Sequence, residues 1–288
     1  MSDLDGKTQR PESPIRRFWQ RIPVLVRAVV SGLLVTFVGG GIWLLLLAMI
    51  PAPWSVIAMG VVLWFYWKYF SGSWWPSSTA EARSRKFRAV RLSAGVWKWG
   101  LLGAFLFVAI VLSATVLTFR LVEIPAEASA DYGLDALPVA QAWLIIIMAS
   151  LVAGICEETG FRGYMQVPLE ARYGPAAALA IASVMFTVFH LNQAWAGPVL
   201  FQILAIGALL GVLAYASGSL IPSIIGHTIM DIFNFAFWWT DLAGVPELHT
   251  IAVTGIDPPF ITAVVVFLVS LALFFGVARR MLAVRQQE

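Results

Sequence analysis

Charge is scarce in this chain. Of its 288 residues only 12% are Asp, Glu, Lys or Arg, while 60% are hydrophobic. A soluble globular domain carries about 25% charged residues, so no water-facing surface can be assembled here. The shortage excludes a cytosolic enzyme, a disordered chain and a nucleic-acid binder, and leaves a polytopic membrane protein. Cysteine is almost missing too. Cys156 alone rules out an internal disulfide framework and a cysteine-rich metal site. Neither an internal repeat nor a low-complexity tract is present. The polar first 23 residues lack the apolar core and small-residue cleavage site of a secretory signal, and read as a tail that stays in the chain.

Apolar runs and tryptophan are abundant. Mean hydropathy is +0.83, and thirteen tryptophans suit a protein with many membrane–water boundaries, where amphipathic rings settle. A spanning helix needs about 20 apolar residues. Eight candidates run over 26–50, 54–70, 96–119, 139–160, 175–191, 198–217, 220–239 and 259–277. Turns are marked by Pro51-Ala52-Pro53, Ser71-Gly72-Ser73, Ser217-Gly218-Ser219 and Asp257-Pro258-Pro259. Gly207 and Gly211 have the small-xxx-small spacing of a packing face. The expected architecture is all-α, a polytopic transmembrane helix bundle of about eight spans.

Loop charges orient those spans. Lys7, Arg10, Arg16, Arg17 and Arg21 precede the first span; Arg83, Arg85, Lys86, Arg88 and Arg91 cluster in 81–91; Arg279, Arg280 and Arg285 end the chain. Acidic residues collect elsewhere, with Glu123, Glu127, Asp131 and Asp135 in 121–138 and Asp241, Glu247 and Asp257 in 241–257. Eight spans put all basic segments on one side, and the positive-inside rule places that side, with both termini, in the cytoplasm. The organisation expected is a tail over 1–23, a three-helix membrane region over 24–138, a four-helix core over 139–240, and an acidic loop, last helix and basic tail over 241–288.

Between 139 and 240 the charged residues are Glu157, Glu158, Arg162, Glu170, Arg172 and Asp231. Glu170 and Arg172 fall in the expected cytoplasmic loop. The other four, with His190 and His227, sit in or at the ends of apolar spans. An ionisable group costs about 2.5–3.5 kcal/mol or more there, so it faces the bundle interior and usually has a task. The plainer reading is a satisfied structural hydrogen bond or ion pair. Spacing adds to composition. Glu158 and Arg162 are i and i+4, share a helix face and can pair. Glu157 is rotated about 100° away and lacks that partner. Phe186 and His190 share a face, as do His227 and Asp231.

Three motifs in order then resemble the CPBP family, the CAAX prenyl endopeptidases and bacteriocin-processing-type intramembrane proteases. Glu157-Glu158-Thr159-Gly160-Phe161-Arg162 matches EExxxR, Phe186-Thr187-Val188-Phe189-His190 matches FxxxH, and His227-Thr228-Ile229-Met230-Asp231 matches Hxxx(N/D). The resemblance covers roughly 139–240. It implies an intramembrane endopeptidase acting on a membrane-associated or lipidated protein or peptide. Glu157 would be the general base, with His190 orienting the water and His227 and Asp231 stabilising the oxyanion. Glu158 and Arg162 would brace the helix that carries the base.

One position departs from the prenyl endopeptidases, which carry Asn where this chain has Asp231. An ionised carboxylate cannot donate to an oxyanion, so Asp231 is either protonated, a metal ligand, or, as favoured here, the group that orients His227. The four catalytic candidates could also form an N/O zinc set. HExxH is absent, and a cofactor-free, glutamate-type mechanism is favoured. Depth poses a problem: His190 lies about 22 Å along a span starting at Pro175, while Glu157 and His227 fall near the cytoplasmic ends of theirs. Convergence requires strong tilts, or a 166–174 connection that dips into the bundle, around a wet cavity open to the cytoplasm. Cys156 reads as inert packing, His249 as solvated, and Asn192 and Gln193 as caps. Trp74-Trp75, Trp97, Trp99, Trp238 and Trp239 read as interfacial anchors. Two rival functions remain, a non-catalytic immunity or scaffold protein and a proton-coupled transporter, the latter weakened by the missing repeat. Compact loops and the lack of a signal suggest a bacterial cytoplasmic membrane.

Overall fold

The computed structural model describes residues 14–123, 133–134, 136–193, 197–238 and 249–287. Lys7, Arg10, Glu127, Asp131, Asp135, Trp239, Asp241 and Glu247 lie outside the described residues, as do the side chains of Arg16, Gln193 and Trp238. Among the described residues the chain is helical with no strand, and it forms an all-α polytopic helix bundle. The helices, in order, are α1 (Pro14–Arg21), α2 (Val24–Met49), α3 (Trp54–Phe70), α4 (Ala80–Phe87), α5 (Ala94–Leu121), α6 (Val139–Val152), a π-helical segment (Ala153–Met165), α7 (Gln166–Tyr173), α8 (Pro175–Phe189), α9 (Gly197–Ser217), α10 (Ile221–Trp238), α11 (Ile251–Thr254) and α12 (Pro258–Gln286).

Apolar helices stand at all eight expected positions. Five runs among the described residues are long and apolar enough to cross a membrane unaided: α2, α5, α9, α12 and the run Val139–Tyr173. Such helices are apolar on every side, and a soluble bundle cannot hide both faces of each one. Their outer faces accordingly stay uncovered: Leu44 is 69%, Phe105 69% and Phe201 74% exposed, where acyl chains satisfy them. Local chemistry sets the ends. Ser93 caps α5 by accepting from the Val96 amide, and Asp257 caps α12 by accepting from the Phe260 amide. Gly174, at φ +82°, reverses the chain before Pro175.

Two features differ from expectation. Residues 14–21 of the tail are helical. The fourth run does not end near 160, because helix continues unbroken to Tyr173. The 166–174 connection is therefore no irregular loop dipping into the bundle. The long run and α8 form a hairpin about Gly174, with Glu157 seventeen residues before it and His190 sixteen after (174 − 157 and 190 − 174). Near-equal counts on antiparallel arms bring the two to one level without invoking strong tilts.

Candidate active site

Glu157, Glu158 and Arg162 all lie in the π-helical segment. Bonding i→i+5 is rare and tends to mark functional sites; here it spans thirteen residues. Small residues let this wider helix be closely embraced. A Cβ at Gly160 would collide with the Thr36 hydroxyl and the Gly32 carbonyl of α2, and one at Gly154 with the Thr228 hydroxyl of α10. The segment is thus clasped between α2 and α10, and α10 carries the third motif.

Glu158 is the hub of the buried side of the site. Its Oε1 lies 2.9 Å from Arg162 Nη1 and also 2.9 Å from His227 Nδ1. All three side chains are sealed off, at 0%, 1% and 3% exposure. Arg162 Nη2 donates to the Gly207 carbonyl at 3.0 Å. Gly207 packs against Ser183 and Phe186 of α8, so the expected packing face also offers a carbonyl to the guanidinium. The expected pairing of Glu158 with Arg162 is present, but the role assigned to Asp231 is corrected. Asp231 Oδ2 stands 3.6 Å from His227 Nε2, beyond hydrogen-bond reach. Glu158, from the other helix, is the closer partner and orients His227. A carboxylate can only accept, so Nδ1 carries the hydrogen and Nε2 is turned toward Asp231.

The other half of the site is more open. Glu157 Oε2 faces His190 Nε2 at 3.6 Å, with side-chain exposures of 16% and 15%, and Asp231 is also 15% exposed. Glu157 Oε2 has no hydrogen-bond partner. His190 Nδ1 lies 2.8 Å from the Phe186 carbonyl; because a carbonyl only accepts, this contact puts the hydrogen on Nδ1 and leaves Nε2 a bare acceptor facing Glu157.

Phe186 joins the halves. Its ring is 4.3 Å from the His190 ring and 6.0 Å from the His227 ring, and the Arg162 guanidinium sits 4.5 Å above it. The three motifs thus meet around one aromatic side chain. Glu157 stands opposite His190 and His227 opposite Asp231, and among the described residues no group of three His, Cys, Asp or Glu side chains is placed to hold a metal ion.

Residues 139–233 match the family model described as type II CAAX prenyl endopeptidase Rce1-like. That stretch is similar to the Rce1-like family. The matched stretch, about a third of the chain, contains all three motifs and supports a CPBP-family intramembrane protease of CAAX endopeptidase type. No curated protein and no solved structure matches the chain.

Several residues in and around the matched stretch have roles that sequence reasoning missed. Gln166, fully buried, donates to Glu170 and to the Gly211 carbonyl. Arg120, buried at the acidic end of α5, pairs with Asp257 at 2.7 Å and with Thr254 at 2.6 Å. Its signal was a lone cation at an otherwise acidic end. Arg83, one of the basic charges of 81–91, is buried and donates to the Tyr69 carbonyl in the last turn of α3. Cys156 is buried against Gly39 of α2, and His249 and Asn192 are exposed.

Proposed function

We propose that this chain hydrolyses a peptide bond of a membrane-associated protein or peptide, with Glu157 as general base. The observation that carries the reading is the facing of Glu157 Oε2, unpartnered, and His190 Nε2, bare, across 3.6 Å. Two acceptors at that separation suit one water that donates a hydrogen to each. Glu157 takes the proton as the water oxygen attacks the carbonyl carbon, and later returns it to the leaving amine when the C–N bond breaks. The products are a new carboxylic acid and an amine, which ionise to carboxylate and ammonium, with no protein-bound intermediate.

The oxyanion falls to His227 and Asp231. With Nδ1–H committed to Glu158, one further proton, carried on Nε2 or on Oδ2, makes that group a donor. That proton removes the objection to Asp in place of Asn. Arg162 and Glu158 act by positioning His227. The mechanism is of the glutamate type and needs no metal; full activity after chelation and metal-free repurification is expected, and a stoichiometric bound ion required for turnover would overturn it.

The substrate proposed is prenylated or otherwise lipidated, as a CAAX-type family implies. Eight spans, both termini cytoplasmic, and a wet passage reaching Glu157 from the basic end complete the reading, in a bacterial cytoplasmic membrane. Its decisive experiment compares membranes containing wild-type and Glu157→Gln protein by proteomics. A precursor should accumulate with the variant. A function that survives Glu157→Gln unchanged would indicate a binding or scaffold protein and end the protease reading.

A further inference from the structure

At the basic end of the bundle several cations are consumed by the protein itself. Arg83 donates to the Tyr69 carbonyl, Arg88 pairs with Glu170, and Arg285 donates to the Tyr215 carbonyl. Arg27 and Lys86 are different. Both are partly buried, and among the described residues neither has an acidic partner. Arg27 Nε is buried with no hydrogen-bond acceptor, and Lys86 Nζ sits 5.3 Å above the Tyr164 ring. Burial, and then the neighbouring charges of Arg27 and Arg85, hold the Lys86 ammonium below the ordinary lysine range. Cations gathered without a counter-charge are costly, and a bound anion relieves that cost.

The surface beneath them indicates which anion. From Arg27 the residues at i+3, i+7 and i+11 of α2 are Val30, Leu34 and Val38, which share its face. They are 38%, 59% and 52% exposed. A charged head above an uncovered apolar stripe is the shape of a phospholipid, and basic pockets at helix ends hold anionic head groups. We propose that Arg27, Arg85 and Lys86 bind the head group of an anionic phospholipid whose acyl chain lies along Val30, Leu34 and Val38. None of this site's residues is among the proposed catalytic side chains. It does not depend on the protease reading.

The test uses delipidated full-length protein, titrated with phosphatidylglycerol or phosphatidylcholine and read by native mass spectrometry and thermal denaturation. Phosphatidylglycerol should bind preferentially and raise Tm. Each charge removed should weaken binding about 5-fold, so Arg27→Gln/Lys86→Gln should lose about 30-fold. Arg27→Lys should retain binding, and Arg91→Gln, an exposed cation nearby, should change little. Equal binding of the two lipids by the wild type would overturn the proposal even if no variant folds. So would an unchanged affinity in the double variant, or inorganic phosphate alone displacing the lipid at equal concentration, which would indicate a free-phosphate site.

Discussion

Replacing Glu158 by Gln keeps the size of the side chain and one acceptor oxygen but deletes the charge shared by Arg162 and His227. Arg162 is 1% exposed and would be left with the Gly207 carbonyl as its remaining short contact. Breaking a buried ion pair by removing one member costs about 3–5 kcal/mol, because the other charge stays buried and uncompensated. Removing both members is often close to neutral. Glu158→Gln should therefore lower unfolding stability in micelles by about 3–5 kcal/mol, and Glu158→Gln/Arg162→Met should recover most of that loss. Activity should behave differently. The double variant still lacks the carboxylate that holds His227 Nδ1 at 2.9 Å, so turnover should stay depressed about 10-fold or more while KM changes little. Denaturant titration paired with cleavage kinetics reads both quantities. A double variant as unstable as the single one would refute the charge argument, and full recovery of turnover would refute the positioning of His227 by Glu158.

Further outcomes follow from the same geometry. Asp231→Asn should retain activity within about 10-fold, since an amide can donate as a protonated carboxyl does; complete loss with an intact fold would count against the oxyanion role. Glu157→Gln should abolish cleavage while leaving the melting temperature within a few degrees, since Oε2 makes no hydrogen bond to another protein group. On the acidic side, the Phe260 amide, followed by Arg120, holds the Asp257 carboxyl below its ordinary value. Stability from this tie is present above the ordinary carboxylate range and is lost as pH falls through the lowered value. An acid-denaturation profile should show that loss in the wild type but not in Asp257→Asn.

Much of the molecule was legible before any coordinates. Positions of the apolar helices followed from run length, because the thickness of the bilayer fixes how many apolar residues a span needs. Pairing of Glu158 with Arg162 followed from i,i+4 spacing, which survives even on a π-helical backbone. Residues 166–173 were misjudged, because Gln166, Glu170 and Arg172 look like a polar loop. In fact Gln166 and Glu170 bond each other, and Arg88 supplies the charge for Glu170. Arg120 and Arg27 were overlooked at the ends of apolar runs, where a single charge hardly alters a hydropathy average.

The sequence by itself determined the class of protein, the helices and the chemical inventory of the site, since composition and helical periodicity are properties of neighbouring residues. Tertiary structure alone decided the partnerships. Glu158 reaches His227 across 69 residues of chain, and Glu157 faces His190 because a hairpin about Gly174 has arms of nearly equal length. Which carboxylate serves which imidazole depends on how three helices rotate and slide against one another. Packing of Gly154 and Gly160 against α10 and α2 sets that rotation, and no spacing within one motif encodes it.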